Sequence, residues 1–370
     1  MTRRGPQLLS TLLQAWQESV PSEEWRRLDH DVLRADGAAL LEFGNRRRPT
    51  QTLLRVSCAP ASAKAAYSLV QLITEDMPFL VETLSMTLAQ AGVSAHIIIH
   101  PILRVQRDTA GRIRSLDQDL TADGGRHESW QYLRIDRVGD PAECEQLQRR
   151  LITAIADVRR ACKDWMRMRN EVLRLCADIS RNPPPLHADI IAESRALLQY
   201  MESHHFTFLG YRESVLRRRG RTLELLPVPR TGLGLLRRRR RSARETSVPA
   251  ANIAQALRST DLLVITKANL RSTVHRPAYL DYIGVKRFDA SGRPIGEVRI
   301  LGLWNYSVYR ADPRQIPWVR QKLRRVVEHF PFAPNSHDGK RLQQILQQEA
   351  AIRMFPVRAS DRHEGFPQRA

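Results

Sequence analysis

Hydrophobic and polar positions along this chain of 370 residues change period several times, and each change marks an element. Residues 1–50 read as a helical lead-in that ends in the basic turn Arg46-Arg47-Arg48-Pro49. Thr52 to Cys58 (TLLRVSC) alternates apolar and polar side chains and predicts a strand. Asp76 to Ala91 carries Leu80, Leu84 and Leu88 at four-residue spacing, which predicts an amphipathic helix. Asp76 is its expected N-cap, Pro78 falls in its first turn and Gly92 stops it. Ala95 to Gln106 is strongly β-forming with a kink at Pro101, and Asp108 to Gly111 is a turn. After a polar loop, Glu128 to Arg137 alternates as another strand, and Pro141 to about Cys176 is a long amphipathic helical stretch. The sum is a βαββα pattern, which buries its apolar faces as an antiparallel sheet backed by helices.

A second domain follows the run Arg181 to Pro185 (RNPPP), where three consecutive prolines cannot continue a helix. Ala188 to Ser203 predicts a helix and His205 to Tyr211 a strand. A hairpin through Arg217 to Arg221 leads to Leu223 to Val228 and then to the glycine-containing segment Arg230 to Leu236. Residues 237–258 are polar and basic and read as a loop. Strands are expected at Leu262–Thr266, Tyr279–Phe288 and Glu297–Tyr306, with a helix over Pro313–Phe330. The expected domains are therefore 1–50, 51–180, a linker at 181–187, 188–345, and a patternless, disordered tail at 346–370.

Charge alters this picture less than its size suggests. The formal net charge is +20, which ordinarily points to nucleic acid or another anionic surface. Only six of the 59 basic residues are lysine, a skew that a GC-rich coding sequence produces without selection for a ligand. Arg237 to Arg241 is a run of five arginines without the interleaved aromatics that stack on bases. A basic nucleic-acid-binding protein is thus the alternative reading. No apolar run reaches membrane-spanning length and the start lacks a signal-peptide pattern, so a cytoplasmic location is expected. The four cysteines (Cys58, Cys144, Cys162 and Cys176) form no CxxC pair and are expected as free thiols.

Chemistry-bearing candidates are few. His96 and His100 share one strand face but lack a third ligand, so no metal is expected. His204 and His205 are adjacent and suit no joint site. His337-Asp338 resembles a base and its orienter, yet helix capping by Ser336 or Asp338 explains the same residues. Gly232 to Leu236 (GLGLL) offers two glycines and no third, so it reads as a turn and not as a cofactor loop.

The run Thr266 to Phe288 (TKANLRSTVHRPAYLDYIGVKRF) packs cations and aromatics together, the mark of a strand pair with a cationic face. This run, with Met77–Val105, His204–Glu213 and Ser336–Lys340, resembles in order the N-terminal region of the large bacterial NAD-specific glutamate dehydrogenases. The resemblance covers roughly residues 40–345. It implies an α+β chain: a ferredoxin-like, ACT-like βαββα domain, then a PAS-like antiparallel sheet domain with flanking helices. It implies a non-catalytic regulatory or oligomerisation segment of an enzyme that converts glutamate to 2-oxoglutarate and ammonia. The catalytic domain and the NAD site are expected outside this chain, so no cofactor is expected here and the chain alone is expected to be inactive. The stretch after residue 345 is unlike the family, and the chain reads as a fragment or the product of a disrupted gene. ACT-like domains often bind amino acids, which places an effector site at the strand-to-helix turn of Glu75, Asp76, Met77 and Pro78. Lys267, Arg271, His275, Arg276, Lys286 and Arg287 are then expected to face another domain or subunit of the enzyme.

Overall fold

The computed structural model describes residues 5–58, 67–219, 222–237, 261–330, 336–341 and 344. The polar run 238–258, the tail beyond 345 and the hairpin tip at 220–221 lie outside them. By contacts the chain divides into two compact units, with the boundary at Arg159/Arg160 and the short segment Thr273–Arg276 grouped with the first.

The first unit begins with three helices, α1 (Gly5–Glu18), α2 (Ser22–Arg27) and α3 (His30–Gly44). Asp29 starts α3 by accepting the amide hydrogens of Asp31 and Val32 at 3.0 and 3.1 Å. There follow β1 (Leu53–Ser57), β2 (Tyr67–Glu75), α4 (Leu80–Gln90), β3 (Ala95–Ile99), β4 (Ile102–Arg107), β5 (Ile113–Asp117), β6 (Arg126–Asp136) and the start of α5 (Pro141–Arg181). All pairings are antiparallel, in the order β1-β2-β6-β4-β5, with β3 also on β6. With β6 central between β2 and the β3/β4 pair, the run β2-α4-β3/β4-β6-α5 is consistent with a ferredoxin-like arrangement.

Helices α1 to α3 cover one face of this sheet. Leu12, Trp16, Leu33 and Leu40 join Ile73, Leu103, Trp130 and Tyr132 in a single core, with Trp16 and Tyr132 rings 4.8 Å apart. Gly44 lies so close to Ile73 and Trp130 that an added side chain would have to displace them. β2 and β6 are buried along nearly their whole length on both faces. β2 escapes an alternation test because Ser68, Gln71 and Thr74 are buried among its apolar residues, which leaves no apolar/polar period to read. β5 is likewise a strand where the sequence suggests only a polar loop.

The second unit holds the rest of α5, then α6 (Ala188–Tyr200), β7 (Phe206–Arg219), β8 (Thr222–Pro227), β9 (Leu233–Gly234), β10 (Leu263–Arg271), β11 (Tyr279–Phe288), β12 (Pro294–Trp304), α7 (Tyr306–Arg310) and α8 (Val319–His329). Its sheet is antiparallel in the order β10-β11-β12-β7-β8, with β9 also on β7. Met168, Val172 and Cys176 of α5 and Leu197, Leu198 and Met201 pack against Phe208, Ile283, Val285 and Ile300 of the sheet. One helix over Pro313–Phe330 is not formed. A 3₁₀ turn at Pro313–Gln315 precedes α8, and Trp318, at φ 65°, breaks the path between them.

Candidate functional site

The turn expected to take an effector joins β2 to α4. Glu75 ends β2, and its carboxylate accepts from Arg159 Nη1 at 3.1 Å. Arg159 Nη2 also donates to Thr74 and Thr52 hydroxyls at 2.7 and 2.9 Å. Asp76 does not cap the helix. Its amide donates to the His127 carbonyl at 3.1 Å, which keeps it in strand-like pairing. Burial pushes its carboxyl above the ordinary value, only partly offset by the Met77 amide. The N-cap position belongs instead to Phe79, in the left-handed region (φ 70°, ψ 11°) and without a side-chain capping bond. α4 therefore starts at Leu80, three residues later than an Asp76 cap would start it, with Pro78 before the helix.

Within the first unit, His275 approaches this turn. Its ring lies 4.8 Å from that of Phe79, and its amide donates to Thr83 Oγ1 at 3.1 Å. His275 is also left-handed, at φ 74°, so two non-glycine residues hold that sparsely populated conformation where they touch. Burial, and then the neighbouring Arg276 charge, pull the imidazole below its ordinary value. His275 Nδ1 is buried without a hydrogen-bond partner. Next to it in sequence, the Thr273 hydroxyl donates to Asp157 at 2.7 Å.

Of the six residues expected as one cationic face, the four in the second unit do not share one strand face. Lys267 pairs across strands with the buried Asp281 at 2.7 Å. Arg271 stacks over Tyr279, with its guanidinium carbon 5.0 Å from the ring centre. Lys286 is buried, while Arg287 on the opposite strand face pairs with Glu213 at 2.9 Å. His275 and Arg276 group with the first unit, the other four with the second.

Other candidates resolve into structure. His96 Nε2 sits 2.7 Å from Asp136, which also accepts the Ser94 amide. Among the described residues no group of three or more His, Cys, Asp or Glu side chains is placed to hold a metal. His204 and His205 end a π-helical turn before β7, with His204 left-handed and His205 stacked on Tyr200. Ser336 Oγ accepts the Gly339 amide at 3.0 Å, as a helix cap does. Gly234 follows Leu233 in β9, and its amide donates to the buried Asp164, which also holds Arg237. The remainder of the arginine run lies outside the described residues. Cys58 and Cys144 are not free thiols but are joined in a disulfide.

Sequence reasoning misses a buried charge cluster. Glu128 on β6, 1% exposed, accepts from Arg47 Nη2 at 2.8 Å, from Arg107 Nε and Nη2 at 2.8 Å, and from Trp130 Nε1 at 3.2 Å. Burial alone would raise this carboxyl, but the hydrogen bonds and charges of Arg107 and Arg47 outweigh it and hold it below the ordinary value. The signal lay in the period of the strand: Glu128 shares a face with Trp130 and Tyr132, and a carboxylate on a buried face demands buried cations somewhere in the chain.

Both sheets are antiparallel throughout the described residues. Fold and site define a pair of α+β modules, each built on an antiparallel sheet. The family model for the glutamate dehydrogenase ACT1 domain matches residues 12–151, and that for glutamate dehydrogenase helical motif 1 matches 316–349. The chain is 31% identical over 288 residues to the NAD-specific glutamate dehydrogenase of Halomonas elongata, covering 77% of this chain and 18% of that one. It is 30% identical over 310 residues to that of Pseudomonas aeruginosa (83% and 19%), and 23% identical over 300 residues to that of Mycobacterium tuberculosis (78% and 17%). The chain belongs to the family of large NAD-specific glutamate dehydrogenases, as part of their N-terminal region. It spans about a fifth of the length of these curated relatives, as a non-catalytic N-terminal segment would. The comparisons lend nucleic-acid binding no support. No helix among the described residues is long and apolar enough to cross a membrane.

Proposed function

We propose that this chain serves as a regulatory and oligomerisation segment of a large NAD-specific glutamate dehydrogenase, whose oxidation of glutamate to 2-oxoglutarate and ammonia takes place on a catalytic domain outside these residues. The carrying observation is the ACT1 match over residues 12–151, which falls within the first compact unit. The second unit, an antiparallel sheet with helices from α5 and α6 packed on it, is read as PAS-like and as a docking module for other domains or subunits. A cytoplasmic location accords with that role. The chain alone is expected to form no NADH from glutamate and NAD, and measurable turnover in a continuous absorbance assay would overturn the reading.

The effector reading centres on Glu75, Asp76, Met77 and Pro78. Support comes from the helix start at Leu80, which lacks a side-chain cap, and from the partnerless Nδ1 of His275 nearby. A ligand carboxylate would accept backbone amides there, and its ammonium group would meet the Glu75 carboxylate. Calorimetric titration with glutamate and other amino acids is expected to give a saturable heat that His275→Ala weakens. A flat titration at millimolar concentrations removes the effector site and leaves the docking role standing.

A further inference from the structure

Cys58 and Cys144 are 86 residues apart in sequence, with Cα atoms at 6.3 Å, inside the range a disulfide spans without backbone movement. Cys58 follows the last residue of β1, and Cys144 lies in the first turn of α5. This junction is held by more than the bond. Gln148 Oε1 accepts the Val56 amide at 2.9 Å, and Asp140 fixes the start of α5 by accepting the Ala142 amide on its side chain at 2.9 Å and the Cys144 amide on its carbonyl at 3.0 Å. The two sulfurs therefore stay in register when the bond is open. A cleft of about 410 Å³ opens onto the pair, lined by Val56, Cys58, Pro141, Cys144, Glu145 and Gln148.

We infer that Cys58–Cys144 is a reversible thiol–disulfide site, served through this cleft by low-molecular-mass thiols and their disulfides. The two sulfurs differ in ways that order the steps. Cys58 is partly exposed, whereas Cys144 is 7% exposed and sits at the N-terminal end of a helix of 41 residues, where the helix dipole favours a thiolate. An incoming thiolate RS⁻ attacks Cys58 Sγ, the protein S–S bond breaks, and Cys144 leaves as the thiolate. A second RS⁻ attacks the R sulfur of the mixed disulfide, releasing RSSR and the Cys58 thiolate, and both protein thiolates take up protons. Two thiols are thus oxidised to one disulfide as the protein disulfide is reduced, and RSSR drives the same steps backwards. Opening the bond frees the first turn of α5 from its covalent tie to the edge of the sheet. Cys162 and Cys176 lie outside the pair, and burial pushes the Cys176 thiol up to about 11, so it makes a poor nucleophile near neutrality.

The test equilibrates the full chain with glutathione and glutathione disulfide in varied ratio at pH 7.5, quenches in acid and alkylates all thiols. In excess glutathione disulfide, two cysteines are expected to escape alkylation, and peptide mapping assigns them to Cys58 and Cys144. In excess glutathione all four alkylate while circular dichroism remains that of a folded chain. A Cys144→Ser variant is expected to trap a glutathione adduct on Cys58, at least tenfold more than Cys58→Ser traps on Cys144. Full alkylation of the folded chain in excess glutathione disulfide would overturn the inference. So would a pair that resists excess glutathione until urea is added, or an adduct that prefers Cys144. Should either variant fail to fold, the mapping of the unsubstituted chain decides by itself.

Discussion

Replacing Glu128 with glutamine tests whether the Arg47–Glu128–Arg107 cluster stabilises the first unit. The substitution keeps the side-chain volume and one acceptor oxygen but removes the charge that faces two guanidinium groups, of which Arg47 is 1% exposed. Breaking a buried pair from one side costs about 3–5 kcal/mol, because the partner stays buried and uncompensated. The lower end applies here. Arg47 Nη1 still donates to the Gln51 carbonyl at 2.7 Å, and Arg107 Nη1 to the carbonyls of Gly44 and Gly111 at 2.9 Å, which hold part of the stranded charge. A loss of about 3 kcal/mol corresponds to roughly a hundredfold faster hydrogen exchange through cooperative opening, since each 1.4 kcal/mol is tenfold. The assay is exchange of peptides from β2 and β6, with peptides of the second unit as the internal reference. The pH dependence has a definite sign. Glu128 is held below its ordinary value of 4.5, so its contribution is complete above that value and is lost as pH falls through the lower native value. The unsubstituted chain is therefore expected to lose protection on acidification more steeply than Glu128→Gln. Less than a fivefold change in exchange at pH 7, or equal acid sensitivity of the two proteins, would refute the reasoning.

Other substitutions probe other contacts. Gly44→Ala places a methyl group against Ile73 and Trp130 and is expected to cost about 1–3 kcal/mol in urea unfolding followed by fluorescence. Glu193 accepts the Trp318 amide and Arg320 Nε, both at 2.9 Å, and so ties α6 to the start of α8. Glu193→Ala leaves that amide without its acceptor, with an expected cost of about 1–3 kcal/mol and the largest exchange increase at residues 316–329. Cys144→Ser is expected to lower stability by up to about 4.5 kcal/mol in oxidising buffer, the chain-entropy value for a loop of this length, and far less in excess thiol. Equal losses in both buffers would assign the effect to packing instead.

Several elements were legible because their residues obey one local rule. The alternation in Thr52–Cys58, the apolar run broken at Pro101 and the long stripe after Pro141 each reappear as β1, β3 with β4, and α5. Where two rules compete, local reading fails. Asp76-Met77-Pro78 has the composition of a helix start, yet the Asp76 amide continues the sheet pairing by bonding to His127, so the helix begins only after Phe79. β2 fails because the polar Ser68, Gln71 and Thr74 are buried along with its apolar residues, so its sequence has no clear period of two.

Charges were the least legible feature, and the reason is physical. A sequence shows how many cations a segment holds but not which distant carboxylates neutralise them. Lys267 looked available for a partner and is bound across strands to Asp281, while Arg47, in an apparently solvated basic turn, is among the most buried side chains. Glu128 and Arg47 lie 81 residues apart, beyond the reach of any periodicity. The same holds for Cys58 and Cys144, whose spacing matches no metal or redox motif because the fold alone brings the end of β1 to the first turn of α5. Arginine content of this kind therefore says little about ligands until each guanidinium is traced to its acceptor. For Arg47, Arg107 and Arg159 those acceptors are Glu128, Thr74 and Glu75 of the sheet and carbonyls of the turns around it. These contacts place those three charges in the packing of the first unit, where Glu128→Gln measures what they contribute.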